Sequence, residues 1–365
     1  MKESKLLTWW QPNFTEEDAK AVFDVVKSGF INEGRICKNL CDYVKNYTGV
    51  KHVITAPNGT LSLYLALKSL GIGNGDEVII PALTFIATAS AVVMTGAEPV
   101  FTDVSSEDCN ILCEQIEPLI TKKTKAIIPV HINGRKADLE QINKIAKENG
   151  LYVIEDAAEA LGSKFNENFL GTISDVGIIS LAPTKIITSG QGGLILTNNE
   201  RIAENITKLK DHGRLSREWN HHPEIGYNFK FNDILAALAL SQIKTLHSRI
   251  EKAVSDYNHY IKGLEKYKNV SFFKTNIESG MVPLWVDIVF NGNRKYLIEY
   301  MKQKNIILRP FWPVITKQKP YEKFKSAKII NADYIAKHGL WLPSGLDKTN
   351  TDISRVIEGF NKFNL

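Results

Sequence analysis

LYVIEDAA, residues 151–158, is an apolar run that closes on two carboxylates, Glu155 and Asp156. A short continuous run of this kind, rather than an alternating one, is how a strand covered on both faces reads. A carboxylate just past such a strand lies at the carboxyl end of a sheet, where α/β proteins place their ligands. Taken alone, the commoner reading of Asp156 is a helix N-cap, because Ala157 and Ala158 follow it. The same type of run recurs at Val78–Ile80, Pro99–Phe101, Ala126–Ile128, Val176–Ile179 and Leu194–Leu196. Helical patterns separate these runs. Residues 15–28 open on a Thr-x-x-Asp start, 58–70 begin at an Asn-Gly turn, and 137–149 stop at Gly150. Strands alternating with helices predict a mostly parallel sheet between helical layers. From about Leu235 the pattern changes. Residues 233–265 read as one long helix, and the remainder mixes short strands, helices and prolines. The expectation is a large α/β domain over residues 1–250 and a smaller α+β domain over 251–365.

The chain has 365 residues, a formal charge of +5, 44% hydrophobic and 23% charged residues. That length exceeds one small core, and that composition is ordinary for a globular enzyme. The lysines are dispersed, which speaks against nucleic acid, although a mild positive excess suits an anionic small molecule. MKESKLLTWWQPNF at the start lacks the apolar core of a signal peptide, and no segment reaches membrane-spanning length, so the cytoplasm is expected. Cys37/Cys41 and Cys109/Cys113 have the CxxxC spacing of some zinc sites. Neither pair has a flanking histidine or a glycine-rich knuckle, so reduced thiols are expected and no metal.

A second stretch carries chemistry: SLAPTKIITSGQGG, residues 180–193. Lys185 follows a strand ending in Ser180 and precedes a glycine-rich turn. A lysine in a crowded, partly desolvated position favours the uncharged, nucleophilic amine, although a lone loop lysine is usually just exposed. Asn58-Gly59-Thr60, at a helix start, offers backbone N–H groups that suit a phosphate. By itself that signal is weak.

The order of these features resembles the DegT/DnrJ/EryC1/StrS family of sugar aminotransferases, which are pyridoxal-phosphate (PLP) enzymes of fold type I. GDEVIIPALTFIATAS, AIIPVHINGRKADL, VIEDAAEALGS, PTKIITSGQGG and HPEIGYNFKFNDILAAL all look like family blocks, and the resemblance extends from about Gly29 to Pro343. Within the family, EDAAEA and KIITSG look most like the GDP-perosamine synthases. The resemblance implies a mostly parallel seven-stranded sheet between helices, plus a smaller C-terminal α+β domain. Lys185 matches the Schiff-base lysine, and Asp156 the acid that keeps the pyridinium nitrogen protonated. Phe85 matches the aromatic stacked on the cofactor ring; its alternative is core packing beside Ile86. Gly59, Thr60 and Ser180 match the phosphate site. Asn228 matches a residue that reaches the neighbouring subunit's cofactor phosphate, which implies a homodimer with shared active sites. Relatives that dehydrate sugars have a histidine at the lysine position, so Lys185 implies transamination from L-glutamate to a keto-sugar. The sugar so implied is a nucleotide-linked 4-keto-6-deoxyhexose destined for a surface glycan.

The chain departs from the pattern in places. Glu159 stands where most of the family has glutamine, although the perosamine-synthase group also carries glutamate. Facing the cofactor's phenolic oxygen, it is expected to share a proton with it. Gln191 replaces a common glutamate and Lys230 a common arginine. Ile315 stands where perosamine synthases tend to have a histidine near the substrate. Lys230 and Arg309 are candidates for substrate phosphates, with surface ion pairing as the alternative. His131, His221 and His222 are left out of the catalytic set, and Trp9 and Trp10 read equally as substrate mouth or core. Two further readings stay open: a transaminase for a ketone without a nucleotide, such as an aminocyclitol precursor, and a PLP-binding protein without turnover.

Overall fold

The computed structural model describes residues 5–214 and 221–363. Its large sheet contains β1 (His52–Ala56), β2 (Glu77–Pro81), β3 (Glu98–Thr102), β4 (Thr124–Ile127) and β5 (Tyr152–Asp156). After a small hairpin, β6 (Lys164–Phe165) and β7 (Asn168–Phe169), the sheet is completed by β8 (Val176–Ser180) and β9 (Gly193–Thr197). The strand order is β1-β9-β8-β5-β4-β2-β3. β8, β5, β4, β2 and β3 run parallel, while β9 runs against both its neighbours. All six apolar runs read from the sequence are strands of this sheet. β1 was not among them: HVITA offers a histidine and a threonine among its five residues, too little apolar continuity to stand out.

Both faces of the sheet are covered. Val78, Ile80, Ile154 and Ile178 join one core, and their alternates Ile79 and Val153 join another with Ile142 and Ile145. Helices α1 (Glu16–Ser28), α2 (Arg35–Thr48), α3 (Gly59–Ser69), α4 (Ala87–Met94), α5 (Leu139–Asn149) and α6 (Glu200–Lys210) belong to this part of the chain. Their starts follow local chemistry. Thr15 and Asp18 form the reciprocal capping box of α1, Asn58 accepts from Leu61 N–H at 2.9 Å to cap α3, and Gly150 ends α5 at φ 64°.

The single helix expected over 233–265 is two, α7 (Asp233–Ile243) and α8 (Leu246–Leu264). At the break the Thr245 hydroxyl donates to Gln242 O (2.9 Å) and accepts from Arg249 Nε (2.9 Å). A side chain engaged with local backbone competes with helix continuation, and nothing in the periodicity reveals that competition. The second sheet has the order β10 (Val270–Phe272), β11 (Val286–Phe290), β13 (Gly339–Leu342), β12 (Arg309–Pro310), antiparallel throughout. Tyr257 and Tyr260 of α8, Leu297 and Met301 of α9 (Arg294–Lys302) and Val356 and Phe360 of α11 (Asn350–Asn361) fill its core. Leu7 joins them through a bridge to Ile306. We propose the domain division near residue 250, with α8 running across it. None of the described helices is long and apolar enough to cross a membrane, and the four cysteines are free thiols.

Two carboxylates tie the sheets together. Asp103, just after β3, accepts from Ile330, Asn331 and Ala332 N–H at 2.7–2.8 Å and so caps α10 (Asn331–His338). Asp287 in β11 takes Arg135 NH1 and NH2 at 2.9 and 2.8 Å, with both side chains about 1% exposed. Removing one member of such a pair strands a buried charge. Asp287→Ala is therefore expected to lower stability by about 3–5 kcal/mol in urea unfolding; a loss below about 1 kcal/mol would show the pair to be dispensable.

Candidate active site

The site forms where β5 and β8 end. Alternation along β5 sends Glu155 and Asp156 to opposite sides. Glu155 points inward, accepting from Gly171, Ile173 and Ser174 N–H at 2.6–2.8 Å and facing His131 Nε2 at 3.1 Å, both side chains fully buried. His131 Nδ1 accepts from Ala137 N–H, so this histidine is a braced core residue.

Asp156 points the other way. Its carboxylate takes Thr88 Oγ1–H at 2.8 Å and Ala158 N–H at 3.2 Å. No helix follows it; residues 157–163 form turns, so the N-cap reading is wrong. Burial raises its pKa above the ordinary carboxylate value, with the Thr88 and Ala158 hydrogen bonds opposing that rise. A nearby Glu159 raises it further and Lys185 lowers it. A buried anion so placed gains from an added cationic N–H donor.

Lys185 lies in the loop between β8 and β9. Its Nζ is 3.3 Å from Glu159 Oε1 and 5.0 Å from the ring centre of Trp285, and its side chain is 12% exposed. Ser180, the last residue of β8, shares with Glu159 and Lys185 the wall of a void of about 10 Å³. A Cβ on Gly59 would lie 3.3 Å from Ser180 Cβ and 3.4 Å from its Oγ. Glycine therefore lets the start of α3 approach this hydroxyl closely. The first N–H groups of a helix have no acceptor within it, so Gly59 and Thr60 present donors beside Ser180, an arrangement that suits a phosphate.

Phe85, between β2 and α4, is 52% exposed and 6.5 Å from the Trp312 ring, so it is not a core residue. The remaining expected residues have other partners. Asn228 is exposed and bridges Asp211 through its backbone. Lys230 Nζ is 2.9 Å from Asp211 Oδ1, which also takes Arg214 at 2.9 Å. Burial alone would raise the Asp211 pKa, but hydrogen bonds from Arg214 and Lys230 outweigh it and hold it well below the usual range. Arg309, on β12, lies over Trp9 (4.5 Å) and Trp341 (5.6 Å), and burial lowers its pKa. Trp9 packs against Trp285 and Trp341, and Trp10 Nε1 donates to Pro183 O at 3.0 Å, so both belong to the aromatic wall behind Lys185.

Three neighbours of the site were missed in the sequence. Thr88 is one helical turn beyond Phe85, a signal that was present in TFIATAS. Asn133 precedes a glycine, as Asn58 does, and the same turn signal could have flagged it. Trp285 carries no local signal at all, because it arrives from β11.

A mostly parallel sheet with a lysine on one loop, a buried aspartate at the next strand end and a phosphate-type helix start defines a PLP-dependent aminotransferase of fold type I. The profile of the DegT/DnrJ/EryC1/StrS aminotransferase family matches residues 12–361, and the chain belongs to that family. It is 33% identical over 366 residues to GDP-perosamine synthase of Escherichia coli O157:H7, covering 98% of this chain and 99% of that one. It is 30% identical to UDP-4-amino-4-deoxy-L-arabinose–oxoglutarate aminotransferase of Shewanella sediminis, with 98% of each chain covered. The solved structure of S. venezuelae DesV superposes with a TM-score of 0.93 at 26% identity over 99% of both chains.

Proposed function

We propose that this aminotransferase binds PLP covalently at Lys185 and moves an amino group from L-glutamate to a nucleotide-linked 4-keto-6-deoxyhexose, in the cytoplasm, for a surface glycan. The observation that carries the reading is Lys185 Nζ set 3.3 Å from Glu159, with Asp156 buried beside it. When bound, PLP supplies an electron sink for the substrate's α-carbon. Asp156 would hold a proton on the ring nitrogen, which would in turn satisfy its buried carboxylate. Once its amine is free, Lys185 Nζ would accept the proton that leaves the donor's α-carbon. Glu159 keeps that amine oriented and faces the phenolic oxygen. Gly59, Thr60 and Ser180 would bind the phosphate, and the exposed Phe85 would supply an aromatic face for the ring.

Asn228 is assigned to the cofactor phosphate of a second copy, in a homodimer with shared sites. Its exposure supports that reading. So do Phe23, Val26, Phe30 and Ile31, exposed apolar residues on or near a groove of about 1270 Å³ beside α1 and α7. Arg309 and Lys230 are assigned to substrate phosphates. Arg309 has the better claim, since it has no carboxylate partner among the described residues, whereas Lys230 is engaged by Asp211. Relatives named for GDP- and UDP-linked sugars support the nucleotide.

A second reading, a ketone without a nucleotide, is favoured by Ile315. This residue is fully buried, with its N–H donating to Ala82 O at 2.9 Å, so it offers no polar contact to a substrate. The test is spectral. PLP-loaded protein is expected to lose its visible band on addition of L-glutamate and to recover it with the correct keto-sugar. If no GDP-, UDP- or dTDP-linked sugar restores the band or binds, the nucleotide assignment fails; if L-glutamate leaves the band unchanged, the donor assignment fails.

A further inference from the structure

Two groups lie against Lys185 Nζ: the Glu159 carboxylate and the Trp285 indole. Both are held by one residue. Asn133 donates its backbone N–H to Glu159 Oε2 at 3.0 Å. Its side-chain amide pairs with the main chain of Trp285 in both directions, Oδ1 accepting from Trp285 N–H at 2.5 Å and Nδ2 donating to Trp285 O at 2.7 Å. The second hydrogen on Nδ2 goes to Asp287 Oδ1 at 2.9 Å, the carboxylate already clamped by Arg135. Every polar atom of the amide is thus used, and Asn133 itself is about 1% exposed. The backbone is unusual as well. Asn133 has φ 52° and ψ 36°, left-handed values that asparagine tolerates better than most residues.

The amide acts like a short piece of strand added to the beginning of β11. It reads the backbone of Trp285 and carries no requirement for the indole itself. The indole is then fixed by its own Nε1–H, which donates to Thr184 O at 3.0 Å, one residue before Lys185. The lysine is therefore approached from two directions that meet at Asn133: through Glu159 from the large sheet, and through Trp285 from the second sheet.

We propose that Asn133 is a positioning residue for Lys185. It sets the direction of the Glu159 carboxylate and couples it to the seating of the second sheet, so that the proton balance at Lys185 depends on the two sheets being docked. This rests on the assignment of Lys185 as the PLP-bearing residue. Charges on the large sheet and on β11 then act together. With Asn133 in place, Glu159 has a fixed donor on one oxygen and Lys185 on the other; without its amide, the loop is released from Trp285 and the N–H no longer has a set direction.

The experiment is a pH titration of the visible absorbance of the PLP-loaded protein in wild type, Asn133→Gly, Glu159→Gln and the double variant. Glycine keeps the backbone N–H and adopts the left-handed conformation readily, so only the amide is lost. Asn133→Gly is expected to move the titration midpoint by about half a pH unit or more, because the hydrogen bond to the charged Glu159 loses its fixed direction. In the Glu159→Gln background the same substitution should move it by less than about 0.2 unit, the non-additivity of residues acting through one another. A purely structural role would lower the thermal midpoint of the apoprotein and leave the absorbance titration in place. That result overturns the proposal, as does an equal shift in both backgrounds. Should Asn133→Gly not accumulate as folded protein, Asn133→Ser, whose hydroxyl is too short to span both Trp285 atoms, supports the same comparison. Lys185→Ala separates this inference from the assignment beneath it. A visible band that survives in Lys185→Ala removes both, whereas a band lost there and an unshifted titration in Asn133→Gly removes this one alone.

Discussion

Lys185→Ala is expected to fold, to lose the visible band that PLP has in the wild-type protein, and to lose turnover by roughly 10⁴-fold or more, the scale seen when a covalent catalytic group is removed. Folding should survive because the side chain has few obligations. It faces Glu159 and the Trp285 ring, and its backbone N–H, which closes a turn on Ala182 O at 3.0 Å, is untouched by the substitution. Glu159 loses one partner but keeps Asn133 N–H. The protein should still take up PLP through Gly59, Thr60 and Ser180, now without a covalent link. Borohydride treatment followed by peptide mapping checks this directly: wild type should retain the label on the peptide containing Lys185, and the variant should retain none. A variant that keeps an unshifted band and a reducible link would move the Schiff base to another lysine.

Asp156→Asn is expected to cost about 10²–10³-fold in kcat/KM, the range for deleting a preorganised charge aimed at the reacting system. An amide cannot hold the ring nitrogen protonated. A second readout is independent of turnover. Burial raises the Asp156 pKa in the protein without cofactor, so the unfolded chain releases this proton more readily than the folded one. This group's contribution to stability therefore falls as pH rises from its ordinary value of 3.8 through the raised folded value. Other carboxylates have their own slopes, and the difference between wild type and Asp156→Asn isolates this one. In apoprotein, wild type should lose stability relative to the variant as pH climbs through that window. With PLP bound, the pyridinium N–H should reverse the ranking. Parallel curves for the two apoproteins would show that Asp156 is better solvated than its burial implies.

What the sequence revealed and what it hid divide along one physical line. The central strands were legible because a strand covered on both faces must be apolar along its whole length, so Val176–Ile179 and Leu194–Leu196 announce themselves. β1 has His52 and Thr55 in a five-residue strand and was invisible. β12, two residues at Arg309–Pro310, has no length over which a period could show. Helix starts were legible through Thr15 and Asn58, whose side chains act within one turn. The break at Thr245 goes with a hydroxyl that bonds Gln242 O and Arg249, a contact that the apolar periodicity does not register. At the site, Lys185 and Asp156 were found through the order of motifs along the chain, since neither residue type alone is informative. Asn133 and Trp285 could not be ranked that way. Their meaning comes from meeting each other, and Asn133 follows β4 of the large sheet whereas Trp285 precedes β11 of the second. Phe85, matched to a ring-stacking aromatic by the family resemblance, is half exposed, which leaves a ring face for a flat partner.

The bridge between Leu7 and Ile306 bears on the order in which the molecule can be made. Domains emerging from the ribosome fold as units, the earlier segments first. The seven strands of the large sheet lie between residues 52 and 197, so that sheet can assemble while much of the chain is still being synthesised. The second core cannot, because it draws Leu7 together with Ile353 and Phe360 from the opposite end of the described chain. Until that closure the core packed against β11, the strand that follows Trp285, is incomplete. Lys185 is thus among the early parts of the protein to be built, while the sheet that seats its Trp285 neighbour is among the last to be completed.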